Sequence, residues 1–279
     1  MFPDFANPMI CGLLMSVAFS VGTFITLAEK LSILGDYGGR GWHTWEVFRL
    51  DRTTRTVFRY FPQLANRLFD IKGVALMTST GLMGAAIMVF YRPKSVPFFV
   101  CILLAYSTTF LLNVRDVYGG DGSQQMYTLV GAALVVGFNP WTSLSVTKIA
   151  LAFVAAQACL AYCTSGIAKV VSPIWRSGDA LVSIIATKSY GSEFGLRIMS
   201  QAPRMSRLVC RITVVLEVLF PLALFGPKWV LIAALSWGLL FHVVNAFVMG
   251  LNTFLWAFLS TYPALIYCWI QLHPAGGHH

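Results

Sequence analysis

The sequence predicts an all-α polytopic membrane protein, a transmembrane helix bundle of about eight segments with an amphipathic helix at the membrane interface. Three observations carry this. The 279 residues are 57% hydrophobic and only 11% charged, with a mean hydropathy of +0.71, which is not the composition of a soluble domain. Apolar runs near the ~20 residues that a helix needs to cross hydrocarbon recur along the whole chain. Fifteen of the 20 Lys and Arg fall in two windows, 30–72 and 169–211. That clustering suits loops facing an anionic leaflet, so the net charge of +9 is no nucleic-acid footprint.

Residues 8–28 form the first apolar run. No basic stretch precedes it and no small-x-small cleavage site follows, so it reads as a span rather than a signal peptide. Residues 29–71 are a basic, aromatic-rich connection. Within it Val57, Phe61, Leu64 and Leu68 make an apolar stripe beside Arg52, Arg55, Arg59 and Arg67, the pattern of a helix lying on the membrane and interrupted near Pro62. Further segments are expected at 73–91, 96–113, 125–138, 143–168, 208–225, 229–248 and 252–271. The piece 125–138 is short for a full crossing, and reads as a tilted or half-spanning helix. No repeat or second domain interrupts the series, and 1–279 reads as one membrane domain. With eight spans, both basic windows and the loop 114–124 share a side, which the positive-inside rule makes cytoplasmic.

Six cysteines (11, 101, 159, 163, 210 and 268) lie in or beside apolar runs without zinc spacing or a disulfide framework, and read as structural. No histidine or carboxylate pair is spaced for a metal, and no bound metal is expected.

Polar groups inside the apolar segments are the candidates for chemistry. Tyr162, Gly166 and Lys169 fall at i, i+4 and i+7, on one helix face. Lys169 has two readings: an anchor snorkelling to the interface, or a base lining a polar cavity. Glu217 sits mid-segment, where a carboxylate is expensive unless paired, and Pro221 cannot donate to its carbonyl. His242, Asn245, Met249 and Asn252 make a polar stripe down one side of the seventh segment. Trp175 and Gly178, after Pro173, read locally as a helix stop and interfacial anchor. The loop 113–125 carries Gly119, Gly120 and Gly122 around Asp121, either a plain turn or a close approach to a ligand.

The order Tyr162-x-x-x-Gly166-Ile-x-Lys169, then Trp175-x-x-Gly178, resembles the HTTM domain of the vitamin K-dependent γ-carboxylases and their bacterial relatives. Glu217-x-x-x-Pro221 and Phe241-His242 recur in the same order, so the resemblance spans about residues 60–272 at the level of motifs. It implies that Lys169 is the base toward a reduced quinone, a vitamin K-like hydroquinone, with oxygen as co-reactant. Glu217 and His242 would assist it, and Asp121, Tyr162, Gly166, Trp175 and Asn245 would line the substrate or cofactor site. It further implies a small secreted peptide as substrate and a multi-pass position in a bacterial plasma membrane. Its Gly-Gly-Asp loop is similar to that of the SdpB peptide-toxin maturation proteins, whereas the animal carboxylase has a histidine where Asp121 stands. The alternative is therefore a factor that matures or exports a secreted peptide without quinone chemistry. A family site on the extracytoplasmic side conflicts with the orientation that the basic windows imply.

Overall fold

A computed structural model describes residues 3–38, 43–50, 56, 58–116, 122–188 and 190–274. The described residues are helical, with no strand among them. Among the described residues, six helical stretches are long and apolar enough to cross a membrane: Pro8–Ser32, Ile71–Met88, Val96–Arg115, Leu144–Val171, Lys228–Met249 and Asn252–Leu272. This is the polytopic helical protein that the composition predicts. The chain divides into two compact units, residues 12–150 and residues 1–11 with 151–279.

The unit 12–150 holds most of α1 (Pro8–Ser32), the short α2 (Trp45–Phe48) and α3 (Pro62–Phe69), then α4 (Ile71–Met88), α5 (Val96–Arg115) and α6 (Gly122–Gly137). Helix α4 begins two residues before the expected segment because Asp70 caps it, its carboxylate accepting from the Gly73 N–H at 2.6 Å. It also ends earlier, at Met88, and Lys94 turns the chain with φ 68°. Ser95 then caps α5, accepting from the Phe98 N–H at 3.3 Å. The α4–α5 hairpin is close because its interface is small. A Cβ on Gly84 would lie 2.9 Å from the Cys101 carbonyl, and the Thr108 hydroxyl donates to the Met77 carbonyl at 3.0 Å.

The expected surface helix is only partly described. Val57, Arg52 and Arg55 lie outside the described residues. Helix α3 starts at Pro62, with Phe61 and Leu64 exposed and Ala65 and Phe69 buried against Trp45. Helix α6 has 16 residues, fewer than a full crossing needs, in line with its short apolar run.

The other unit contains most of α7 (Leu144–Val171), then α8 (Pro173–Ser177), α9 (Ala180–Ile185), α10 (Glu193–Gln201), α11 (Pro203–Leu219), α12 (Lys228–Met249), α13 (Asn252–Leu259) and α14 (Tyr262–Leu272). Two of the expected segments are interrupted. The run 208–225 is not one helix: α11 starts at Pro203 and stops at Leu219, and Phe220–Leu224 tightens into a 3-10 turn around Pro221, which has no N–H to continue the ladder. The run 252–271 breaks at Ser260–Thr261 ahead of Pro263, so α13 and α14 share one apolar stretch. Helix α7 runs past 168 to Val171, which keeps Lys169 on a regular helix.

Candidate functional site

The site is built on the last two turns of α7. Gly166 brings α7 against α11 so closely that a Cβ there would meet the Val218 nitrogen at 2.7 Å and the Glu217 Cβ at 3.0 Å. Only glycine permits that approach, and it puts the next turn of α7 opposite Glu217. The Lys169 Nζ donates to Glu217 Oε2 at 2.6 Å and to Ser165 Oγ, one turn back, at 2.5 Å. The Glu217 side chain is 3% exposed and that of Lys169 16%. The Trp175 ring lies 5.1 Å below the Lys169 amine, near enough for a cation–π contact.

The Trp175-x-x-Gly178 motif has a local cause. Gly178 closes α8 in the left-handed region at φ 87°, and the Asp179 N–H reaches back to the Ile174 carbonyl at 3.1 Å. A Cβ on Gly178 would also collide with Arg207, and the Ser206 hydroxyl donates to the Gly178 carbonyl at 2.7 Å. The motif is thus a reversal docked on α11, and it holds Trp175 under Lys169.

A second polar contact lies two turns up α7. Tyr162 OH and His242 Nε2 are 2.8 Å apart, both residues being 3% exposed. Phe220 stacks on Tyr162 at 3.9 Å, and Phe258 stacks on His242 at 4.5 Å with an angle of 17°. Gly238 makes room for the hydroxyls of Tyr162 and Tyr262, which lie 3.0 and 2.7 Å from where its Cβ would be. Tyr262 donates to the Leu235 carbonyl at 3.0 Å. His242 Nδ1 is buried without a hydrogen-bond partner. A buried polar atom left unpaired is costly, which marks this edge of the ring as a place for a ligand group or water.

The structure therefore brings Lys169 to Glu217, with Gly166 and Trp175 at the contact, and brings Tyr162 to His242. The two pairs share α7, and Phe220, which stacks on Tyr162, lies in the 3-10 turn that follows α11, three residues beyond Glu217. Asn245 is one turn along α12 from His242 and half-buried, and its carbonyl accepts from the Gly250 and Leu251 N–H groups at the helix end. Asp121 lies outside the described residues. A cavity of about 440 Å³ in this unit is lined by Ser177, Asp179, Ser200 and Arg207 among others, and not by Lys169 or Glu217. Among the described residues, no three His, Cys, Asp or Glu gather as metal ligands.

Sequence reasoning missed Ser165, whose spacing of four from Lys169 was legible, and the aromatic walls Phe220 and Phe258, which carry no signal in an apolar run. It also missed a charged cluster in the unit 12–150. There Lys30 Nζ lies 2.5 Å from Asp116 Oδ2, and Arg115 Nη1 donates to Asp116 Oδ1 at 2.8 Å. Arg115 is wholly buried, donates through Nη2 to the His43 carbonyl, and lies over the Tyr37 ring at 4.5 Å. Burial alone would raise the Asp116 carboxyl, but Lys30 and Arg115 outweigh it and hold the group below its usual value. Burial pushes the Tyr37 hydroxyl up, opposed by Lys30.

Comparison of the chain with family models, with curated proteins and with solved structures found no match. What defines the class of this protein is its own architecture: among the described residues, a helical chain with six stretches fit to cross a membrane and a half-buried lysine paired with a buried glutamate between two helices.

Proposed function

We propose that the chain is a multi-pass membrane enzyme of the bacterial plasma membrane that resembles the vitamin K-dependent γ-carboxylases and modifies a peptide or another membrane-associated substrate, with Lys169 as its base. The observation that supports this best is the Lys169–Glu217 contact at 2.6 Å. A lysine works as a base only without its extra proton. In a site of low dielectric, the shortest route there is transfer along that hydrogen bond to Glu217, leaving an amine beside a carboxylic acid. Neither group then carries a charge, so the pair loses no solvation that it had not already lost on burial. Ser165 and Trp175 hold the amine in place meanwhile.

A reduced quinone would fit the residues present in one respect: His242 Nδ1 is a buried, unpartnered polar atom among aromatic rings. Such a cofactor, with oxygen, supplies a base stronger than any side chain. The protein's part is to take the hydroxyl proton at the Lys169 amine and to fix the ring orientation through His242. Within this reading α6 and the α11 stretch with its 3-10 turn are the two remaining membrane segments, which gives eight, and α3 lies at the interface.

The second reading, a factor for maturing or exporting a secreted peptide without quinone chemistry, treats Lys169 as an interfacial anchor. Its 16% exposure and its cation–π contact with Trp175 favour that role. Purified protein in lipid, given reduced quinones of several chain lengths and oxygen, separates the two. The enzyme reading expects the wild type to consume quinol and release quinone epoxide, and Lys169→Ala to do neither. Inactivity of both across all chain lengths would transfer the case to peptide maturation.

A further inference from the structure

The cluster around Arg115 has more donors than acceptors. Arg115 and Lys30, both cations, share the single carboxylate of Asp116. The Arg115 side chain is 0% exposed, and among the described residues its Nε–H has no acceptor. Among the described residues His43 Nδ1 and, in the next residue of the chain, Thr44 Oγ1 are also buried and unpartnered. His43 and Arg115 belong to one place: the His43 carbonyl accepts from Arg115, and the His43 ring and the Arg115 guanidinium both stack on Tyr37 and Phe48. Thr44 precedes α2 without capping it through its side chain, so its hydroxyl is not spent on the helix end.

Chance burial does not explain such a set. Each unpaired buried donor is costly, and an uncompensated charge in a membrane protein's interior is costlier still. The rings of Tyr37 and Phe48 hold the guanidinium plane still, so its free N–H points one way. Lys30 and Asp116 remain 17% and 11% exposed, which gives the cluster a wet edge.

We propose that this cluster is a binding site for a carboxylate-bearing ligand. One carboxylate oxygen accepts from the Arg115 Nε–H, and the other from both the Thr44 hydroxyl and the His43 ring N–H. One negative charge balances the second cation that Asp116 leaves over. Among the described residues the charges of Lys30, Arg115 and Asp116 select a monoanion: a phosphate dianion would turn their sum negative. This site stands on the unit 12–150 alone and does not depend on the chemistry assigned to Lys169.

The test is thermal unfolding of the full-length purified protein in detergent, titrated with sodium formate or acetate at constant ionic strength, with chloride and phosphate as controls. A ligand that binds the folded state raises Tm in a saturable way. The expected result is a saturable rise with formate and acetate and none with chloride. Arg115→Lys should abolish the rise, and Thr44→Val, which keeps shape and removes the donor, should shift its midpoint about tenfold to higher carboxylate, one lost hydrogen bond's worth. If Arg115→Lys does not fold, Thr44→Val and His43→Phe carry the test. No rise with either carboxylate, a rise with phosphate alone, or an equal rise in wild type and Thr44→Val would overturn the proposal.

Discussion

Two lysines in this protein meet a carboxylate at nearly the same distance, Lys30 with Asp116 at 2.5 Å and Lys169 with Glu217 at 2.6 Å, and with nearly equal lysine exposure, 17% and 16%. The difference lies in what else the acid holds. Asp116 also binds Arg115, which does not give up a proton. Moving a proton from Lys30 to Asp116 would strand the guanidinium, so that pair is locked as ions. Glu217 faces one cation and can neutralise it completely by accepting its proton. Similar geometry thus serves a carboxylate shared by two cations in one place and a carboxylate facing one lysine in the other.

The largest effect is expected at Asp116. Asp116→Asn leaves two cations buried without a counter-charge, and should cost about 3–5 kcal/mol, read as a lower Tm or lost expression of folded protein. Glu217→Gln should cost less, about 1–3 kcal/mol, because it leaves one lysine that is 16% exposed, where Asp116→Asn strands a guanidinium that is 0% exposed. A double-mutant cycle with Lys169→Met measures the difference: K169M/E217Q should be more stable than the sum of the single losses allows. If Glu217→Gln is as damaging as Asp116→Asn, the contrast between the two pairs is wrong.

Gly166→Ala comes next. The added methyl meets the backbone of α11, and pushing the helices apart should cost about 1–3 kcal/mol and lengthen the Lys169–Glu217 contact. Quinol turnover should fall more steeply than Tm does, which distinguishes damage to the pair from general loosening. The smallest effect is in pH. Asp116 has a folded pKa below its unfolded one, so its contribution is fully present above the unfolded value and is lost as pH falls through the folded one. With an ordinary value of 3.8, that window lies below about pH 4, and Asp116 should add no slope to stability between pH 5 and 8. A slope in that range that Asp116→Asn removes would contradict the ion assignment.

The membrane helices were legible in the sequence because apolar runs near the hydrocarbon thickness have few other causes. Glu217 and Lys169 were legible for the converse reason, a charge inside or beside such a run. The Trp175–Gly178 spacing was visible, but its meaning required the left-handed backbone at Gly178 and the helix it docks on. The Arg115 cluster was not legible. Lys30 and Arg115 each end an apolar run, where a basic residue is ordinary, and Asp116 lies 86 positions from Lys30. Only the fold shows that two ordinary flanks share one acid. The helix breaks at Pro221 and Ser260–Thr261 each had a proline in view, yet apolarity alone read through both.

The most direct test of the central claim is the protonation of Glu217. Infrared difference spectroscopy on the protein in lipid, before and after anaerobic addition of reduced quinone, reads carboxyl groups individually when compared with Glu217→Gln. The account predicts a change in a protonated-carboxyl band that is present in the wild type and gone in Glu217→Gln. No carboxyl change, or one that survives in Glu217→Gln, would contradict proton sharing between Lys169 and Glu217 and leave the lysine as an anchor.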